Sequence, residues 1–269
     1  KGTIVAIGGG VVTDMTGLIA NLYFRGVKSV LVPTTLLAMV DAAIGGKVAV
    51  NHPHQKNLLG SFYHPSEVLI STEFLTSIPK RHMYNAAGEI FKLSVISDNN
   101  LFSIIEQAPA GWIKNKTFLK RIIKICITEK LQMLGENCFE RDLRRPLNLG
   151  HSIAHPLEDI TGYKVFHGEA VSYGLLIASN ISLQRGLISM TNYLRIYNCA
   201  KRFGCTINIE NYGVEELWNR IRRLIIQRGG NGLLYVLPTA IGKTTIVKDI
   251  THKELTVAIA CLKRESKLT

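Results

Sequence analysis

The sequence predicts an α/β layer with a parallel sheet followed by a mainly helical part, and two patterns carry that expectation. At the start, apolar strand-like runs alternate with a helical stretch: Thr3–Ile7, then Val12–Phe24, then Val27–Val32. Strand, turn, helix and strand in that order call for parallel pairing with the helix laid on the sheet. Beyond Ile78-Pro79 the period changes, and Thr117–Leu134, Ala170–Arg185 and Val214–Gln227 repeat apolar residues at helical spacing. The expected division is therefore 1–79 and 80–269.

Each element has its local reason. Gly8–Gly10 makes the turn between the first strand and its helix, and Pro33 stops the second strand. Val68–Ser71 reads as a third strand, and Leu233–Leu237 as a short one ending before Pro238. The chain begins at Lys1 directly on an apolar strand, so further residues are expected to precede it.

Composition narrows the function. The longest apolar stretch, Lys28–Gly46, is broken by Pro33 and Asp41, so no membrane span is expected. Five cysteines without a CxxC pair suit a reduced, cytoplasmic protein. The net charge of +12 indicates either a generally basic surface or an anionic ligand. Lysine and arginine are spread along the chain and aromatics are 7%, which offers no stacking platform and argues against nucleic acid.

Three constellations carry chemistry. Gly8-Gly9-Gly10 with Asp14 sits between a strand and a helix, where glycines admit a phosphate to the helix N-terminus. A tight turn needs glycine there in any case. Asp41 and Gly45-Gly46-Lys47, followed by Asn51-His52-Pro53 and Lys56-Asn57, read as a loop that can present cations and amides to an anion or be merely solvated, and the spacing is not that of a P-loop. His151 and His155 stand four apart on one helix face, His167 begins a further helical stretch, and Glu89 is a carboxylate in an apolar segment. Two histidines and a carboxylate suit zinc or a similar divalent ion, while a histidine pair by itself is as readily structural.

The stretches GGGVVTDMTG, VPTTLLAMVDAAIGGKVAVNHPHQKNLLGSFYHP, AAGEIFK, ERDLRRPLNLGHSIAHPLE and FHGEAV closely resemble the 3-dehydroquinate synthase family in order and spacing. The resemblance implies a Rossmann-like, apparently truncated nucleotide-binding part and a helical metal-binding domain. It implies Glu89, His151 and His167 as ligands of zinc or cobalt. Asp14, Thr34, Thr35, Lys56 and Thr72 fall on positions lining an NAD site, with Gly8, Gly9 and Gly10 near the pyrophosphate. Asp41, Lys47, Asn57, Lys92, Lys130, Glu140, Arg144, Asn148 and His155 fall on substrate-site positions. Arg25 matches an arginine that reaches the substrate phosphate of a neighbouring subunit, which implies a homodimer.

The family's substrate is 3-deoxy-D-arabino-heptulosonate 7-phosphate, converted in the shikimate pathway to 3-dehydroquinate and phosphate by transient oxidation, elimination, reduction and ring closure. Lys130 and Arg144 are the cations suited to the substrate carboxylate. Relatives that cyclise sedoheptulose 7-phosphate, and homologues that have lost catalysis, stand as alternatives. The chain departs from the family at Thr13 (a glycine there), Ala42 and Ala43 (serines), Leu93 (a tyrosine), Asn137 and Cys138 (acidic residues), and Ile225–Arg228, where an Asp-Lys-Lys run is expected.

Overall fold

The structure, a computed structural model, describes residues 2–52, 55–97, 100–135, 139, 146–205, 213–227 and 233–267, without the side chains of 51–52, 55–57, 227 and 266–267. The chain divides into two compact units, Lys1–Ala86 with Pro109–Asp142, and Ala87–Ala108 with Leu143–Thr269. Among the described residues no helix is long and apolar enough to cross a membrane.

The first unit holds the expected parallel sheet. Strand β1 (Thr3–Gly8) pairs in parallel with β2 (Lys28–Pro33), from Thr3 opposite Lys28 to Gly8 opposite Pro33. The third strand, β5 (Glu67–Val68), is shorter than its apolar run suggests. The Leu69 amide still donates to the Leu31 carbonyl at 2.8 Å, and two residues on the Ser71 hydroxyl accepts the Glu73 amide at 3.4 Å at the start of the 3₁₀ turn Thr72–Ser77. Helix α1 (Gly10–Leu22) buries Thr13, Gly17 and Ala20. A Cβ on Gly17 would stand 2.3 Å from Val48 Cγ1, so only glycine lets the helix approach that strand.

Val48 belongs to a feature that the sequence reading treats as a loop. The segment after Gly46 forms an antiparallel hairpin of β3 (Lys47–His52) and β4 (Gln55–Phe62), in register from Lys47 opposite Phe62. It is tied back by Asn21 Nδ2 donating to Ser61 Oγ at 2.7 Å. The tyrosine that follows, Tyr63, donates its hydroxyl to the Val27 carbonyl at 2.8 Å. Helix α4 (Lys116–Leu134) completes this unit. Its N-cap, Asn115, accepts the Phe118 amide at 3.0 Å, and it buries Leu119, Ile122, Ile123, Cys126, Glu129, Lys130 and Leu134.

Helix α2 (Lys80–Ile96) carries the division between the units, and α3 (Leu101–Glu106) follows it. The second unit is the helical part. Helix α6 (His167–Gln184), buried almost throughout from Gly168 to Ser182, is its axis. Around it pack α5 (His151–Ile160), α7 (Met190–Phe203) and α9 (His252–Lys267), with α8 (Val214–Gln227) against α5. A hairpin of β6 (Tyr235–Ala240) and β7 (Lys243–Val247) also contacts α6. At the end of α6, Arg185 clamps α9. Its Nε donates to Glu254 Oε1 at 2.6 Å and its Nη1 to Asp249 Oδ1 at 2.8 Å. Among the described residues, Cys126, Cys199, Cys205 and Cys261 form no disulfide.

Candidate functional site

In the second unit three helices each end a short path on one point. Glu89 of α2 is fully buried, and its Oε1 lies 3.5 Å from His151 Nε2 and 3.3 Å from His167 Nε2. Lys92, one helical turn on, pairs with Glu89 Oε2 and is itself buried. Burial drives the carboxyl pKa up, while the adjacent Lys92 ammonium is the largest influence drawing it down, to well below the usual carboxylate range. Glu89 is therefore an anion. The His151 ring meets those of His155 and His167 edge-on, with centroids at 5.2 and 5.3 Å, and His155 stacks on His167 at 6.1 Å.

Glycines make the convergence possible. A Cβ on Gly88 would stand 2.0 Å from the Gly168 carbonyl oxygen, and one on Gly174 would stand 2.1 Å from that of Gly150. Gly150 has φ of +81° and leads directly into His151, the first residue of α5. Each of the three converging side chains thus has a glycine as sequence neighbour, at positions where helix and loop backbones touch without intervening side chains. At the start of α6, Glu169 accepts the Phe166 amide at 2.9 Å and fixes the turn that carries His167.

This donor set fits a divalent ion. Ligand bonds of about 2.1 Å at tetrahedral angles separate neighbouring ligand atoms by about 3.4 Å, the spacing of Glu89 Oε1 from the two Nε2 atoms. Those separations are long for hydrogen bonds. One ligand atom from each of Glu89, His151 and His167 lies within 4.8 Å of the others, and the same holds for His155, Glu158 and His167. Glu158 carries no role in the sequence reading. It stands three residues after His155 and seven after His151, on the same face of α5.

In the first unit the glycine turn joins β1 to α1. The Thr34 amide donates to the Gly8 carbonyl at 2.8 Å, bringing Thr34 and Thr35 beside the turn. A Cβ on Gly9 would stand 3.1 Å from Thr35 Cγ2, and one on Gly10 would stand 3.3 Å from Ala42 Cβ. The first turn of α1 carries no acidic residue, so its amides meet no local competition from a carboxylate. Asp14, one turn in, is half-buried. Thr13, where a glycine is expected, is buried, with its hydroxyl donating to the Gly10 carbonyl at 3.0 Å. Its bulk is absorbed in the packing under the helix. Thr72 opens the 3₁₀ turn after β5.

Asp41 sits in the π-helical turn Ala38–Ala42. Lys130 Nζ donates to its backbone oxygen at 2.6 Å and to Oδ1 at 2.7 Å. Lys47, exposed at the start of β3, follows Gly45 and Gly46, whose φ values of +103° and +70° only glycine adopts easily. Arg25 is exposed on a turn in which Phe24, Arg25 and Gly26 all have positive φ (47°, 60° and 112°). Asn148 ends the 3₁₀ turn before α5. Glu140 and Arg144 lie outside the described residues, as do the side chains of Lys56 and Asn57 on β4. The structure thus gathers the glycine turn with Thr34 and Thr35, and Asp41 with Lys130, in one unit. It gathers Glu89, Lys92, His151, His155 and His167 in the other.

Comparison with known proteins covers both units. The model of the 3-dehydroquinate synthase N-terminal domain matches residues 1–85, and that of the C-terminal domain matches residues 86–224. The chain is 36% identical over 269 residues to a 2-epi-valiolone synthase of Actinosynnema mirum, covering 98% of this chain and 70% of the relative. It is also 36% identical over 256 residues to a 3-dehydroquinate synthase of Thermodesulfovibrio yellowstonii, covering 94% and 71%. Among solved structures, the 2-epi-5-epi-valiolone synthase of Streptomyces hygroscopicus subsp. jinggangensis, with NAD+ and Zn2+ bound, superposes with a TM-score of 0.90 at 30% identity. That match covers 98% of this chain and 74% of the other.

Proposed function

The chain belongs to the 3-dehydroquinate synthase family, and we propose that it is an NAD- and divalent-metal-dependent sugar-phosphate cyclase, a carbon–oxygen lyase acting on 3-deoxy-D-arabino-heptulosonate 7-phosphate. The observation that carries this reading is the buried Glu89 carboxylate faced by His151 Nε2 and His167 Nε2 at tetrahedral-ligand spacing.

When bound, the ion would acidify substrate hydroxyls and polarise a neighbouring carbonyl, and NAD would take up and return a hydride. The protein's own groups do the rest. The α1 amides and the Gly8–Gly10 turn hold the dinucleotide's phosphates, with Asp14, Thr34, Thr35, Lys56 and Thr72 along its length. Lys47, Asn57, Lys92 and His155 balance the substrate phosphate until it leaves. Asp41, Lys130, Glu140, Arg144 and Asn148 orient the remainder, and Arg25 contributes from a second subunit of a homodimer. Cysteines without disulfides suit a cytoplasmic location.

A second reading, cyclisation of sedoheptulose 7-phosphate, rests on a specific observation. Lys130 already has its charge met by Asp41 at 2.7 Å, whereas a substrate carboxylate wants a cation with charge to spare. The relatives are evenly matched, since a 2-epi-valiolone synthase and a 3-dehydroquinate synthase share the same 36% identity with this chain. Phosphate release from the two substrates, each with NAD and zinc, decides the matter. The first reading expects the heptulosonate to be favoured, and the reverse preference selects the second. No release from either, with metal and NAD bound, leaves a homologue without catalysis.

A further inference from the structure

We propose that Glu158 is a positioning residue that sets the tautomer and the angle of His167, so that Nε2 presents its lone pair to a divalent ion. The inference rests on the metal reading of Glu89, His151 and His167 given above.

The two nitrogens of His167 face two different carboxylates. Nδ1 lies 3.1 Å from Glu158 Oε1, and Nε2 lies 3.3 Å from Glu89 Oε1. A neutral imidazole has one N–H and one lone pair, and an ionised carboxylate only accepts. The shorter contact, inside hydrogen-bond range, puts the proton on Nδ1. Nε2 and Glu89 Oε1 then face each other as two electron-pair donors, an arrangement that a cation between them satisfies. A carboxylate behind a ligating histidine also raises its basicity and locks the ring.

Both ends of this contact are held. Glu158 is buried at 3% exposure, and its carbonyl accepts the Thr161 hydroxyl at 3.0 Å and the Tyr163 amide at 2.8 Å, which fixes the end of α5. His167 is fixed by the Glu169 cap on Phe166. His155, Glu158 and His167 together also have the donors for an ion of their own. An ion there that took His167 Nδ1 would displace the Glu158 contact, and one that took Nε2 would compete with the Glu89 and His151 site, so one ion per chain is expected.

The test is a zinc titration of the chain against a chromophoric chelator, with circular dichroism on the same samples. Glu158→Ala should weaken zinc binding roughly 10- to 100-fold with helical signal retained. Glu158→Gln, whose amide oxygen still accepts the N–H but carries no charge, should lose less, roughly three- to tenfold. The visible spectrum of the cobalt-loaded chain should change in both. Wild-type zinc affinity in Glu158→Ala, alongside loss in His151→Ala, overturns the proposal and leaves the metal reading standing. If alanine unfolds the chain, wild-type affinity in Glu158→Gln overturns it instead. A wild-type chain that takes up no zinc overturns the metal reading and the proposal with it. Two zinc ions per wild-type chain would make Glu158 a ligand and overturn the positioning role.

Discussion

The two units build their chemistry from different materials. In the first, the glycine turn at Gly8–Gly10 offers backbone amides, and the cations near it stand on loops and strand ends, as Lys47 does. In the second, Glu89, His151 and His167 are side chains on three packed helices, held within 3.5 Å contacts by glycines that let backbones meet. In the backbone site the one departure at the turn, Thr13, keeps its side chain buried with its hydroxyl on the Gly10 carbonyl. The side-chain site depends on every backbone approach around it. Substitutions in one unit should therefore leave the other unit's ligand alone.

The largest separation is expected for His151→Ala. It should lower zinc affinity by more than the roughly 100-fold that outer partners account for, while NAD binding, read by fluorescence titration, stays at the wild-type value. Equal losses of both ligands would break the comparison. Gly88→Ala comes next. Its methyl group would stand 2.0 Å from the Gly168 oxygen, so α2 must shift, at a cost of about 1–3 kcal/mol by denaturant unfolding. Zinc affinity should fall with it, although no ligand has been touched.

His155→Ala separates two roles within one helix. The side chain shares a face with His151, yet the metal assignment leaves it out, so zinc should stay and turnover should drop on the order of 100-fold. Zinc loss equal to that of His151→Ala would move His155 into the ligand set. The smallest effect is expected at the far end of α6. Arg185 and the Thr251 groups hold the Glu254 carboxyl down to about 2. A group depressed in the folded state stabilises it above the unfolded pKa of 4.5 and loses that contribution as pH falls through about 2. Glu254→Gln should cost roughly 1 kcal/mol at neutral pH after screening by solvent, and a thermal melt near pH 2 should no longer separate it from wild type.

Much of this was legible before the fold was known. Four-residue spacing puts His151 and His155 on one helix face, and strand-turn-helix order identifies the parallel pair of β1 and β2. The β3–β4 hairpin was not legible, because Gly45, Gly46 and the Asn51-His52-Pro53 run carry turn signals that mask its alternation. Glu158 escaped for another reason. Pro156 lies inside α5, where proline ordinarily marks an end, and the helix continues past it. The glycines at 88, 150, 168 and 174 read as flexibility in a sequence; only the packed helices reveal them as contact points.

The proposed role of a divalent ion at Glu89, His151 and His167 in a sugar-phosphate cyclase is open to direct experiment. It is tested most directly by measuring zinc content and phosphate release on one sample, before and after chelation. One zinc per chain is expected, with release that stops when zinc is removed and recovers when it is returned. Release that continues after the zinc has gone would contradict it.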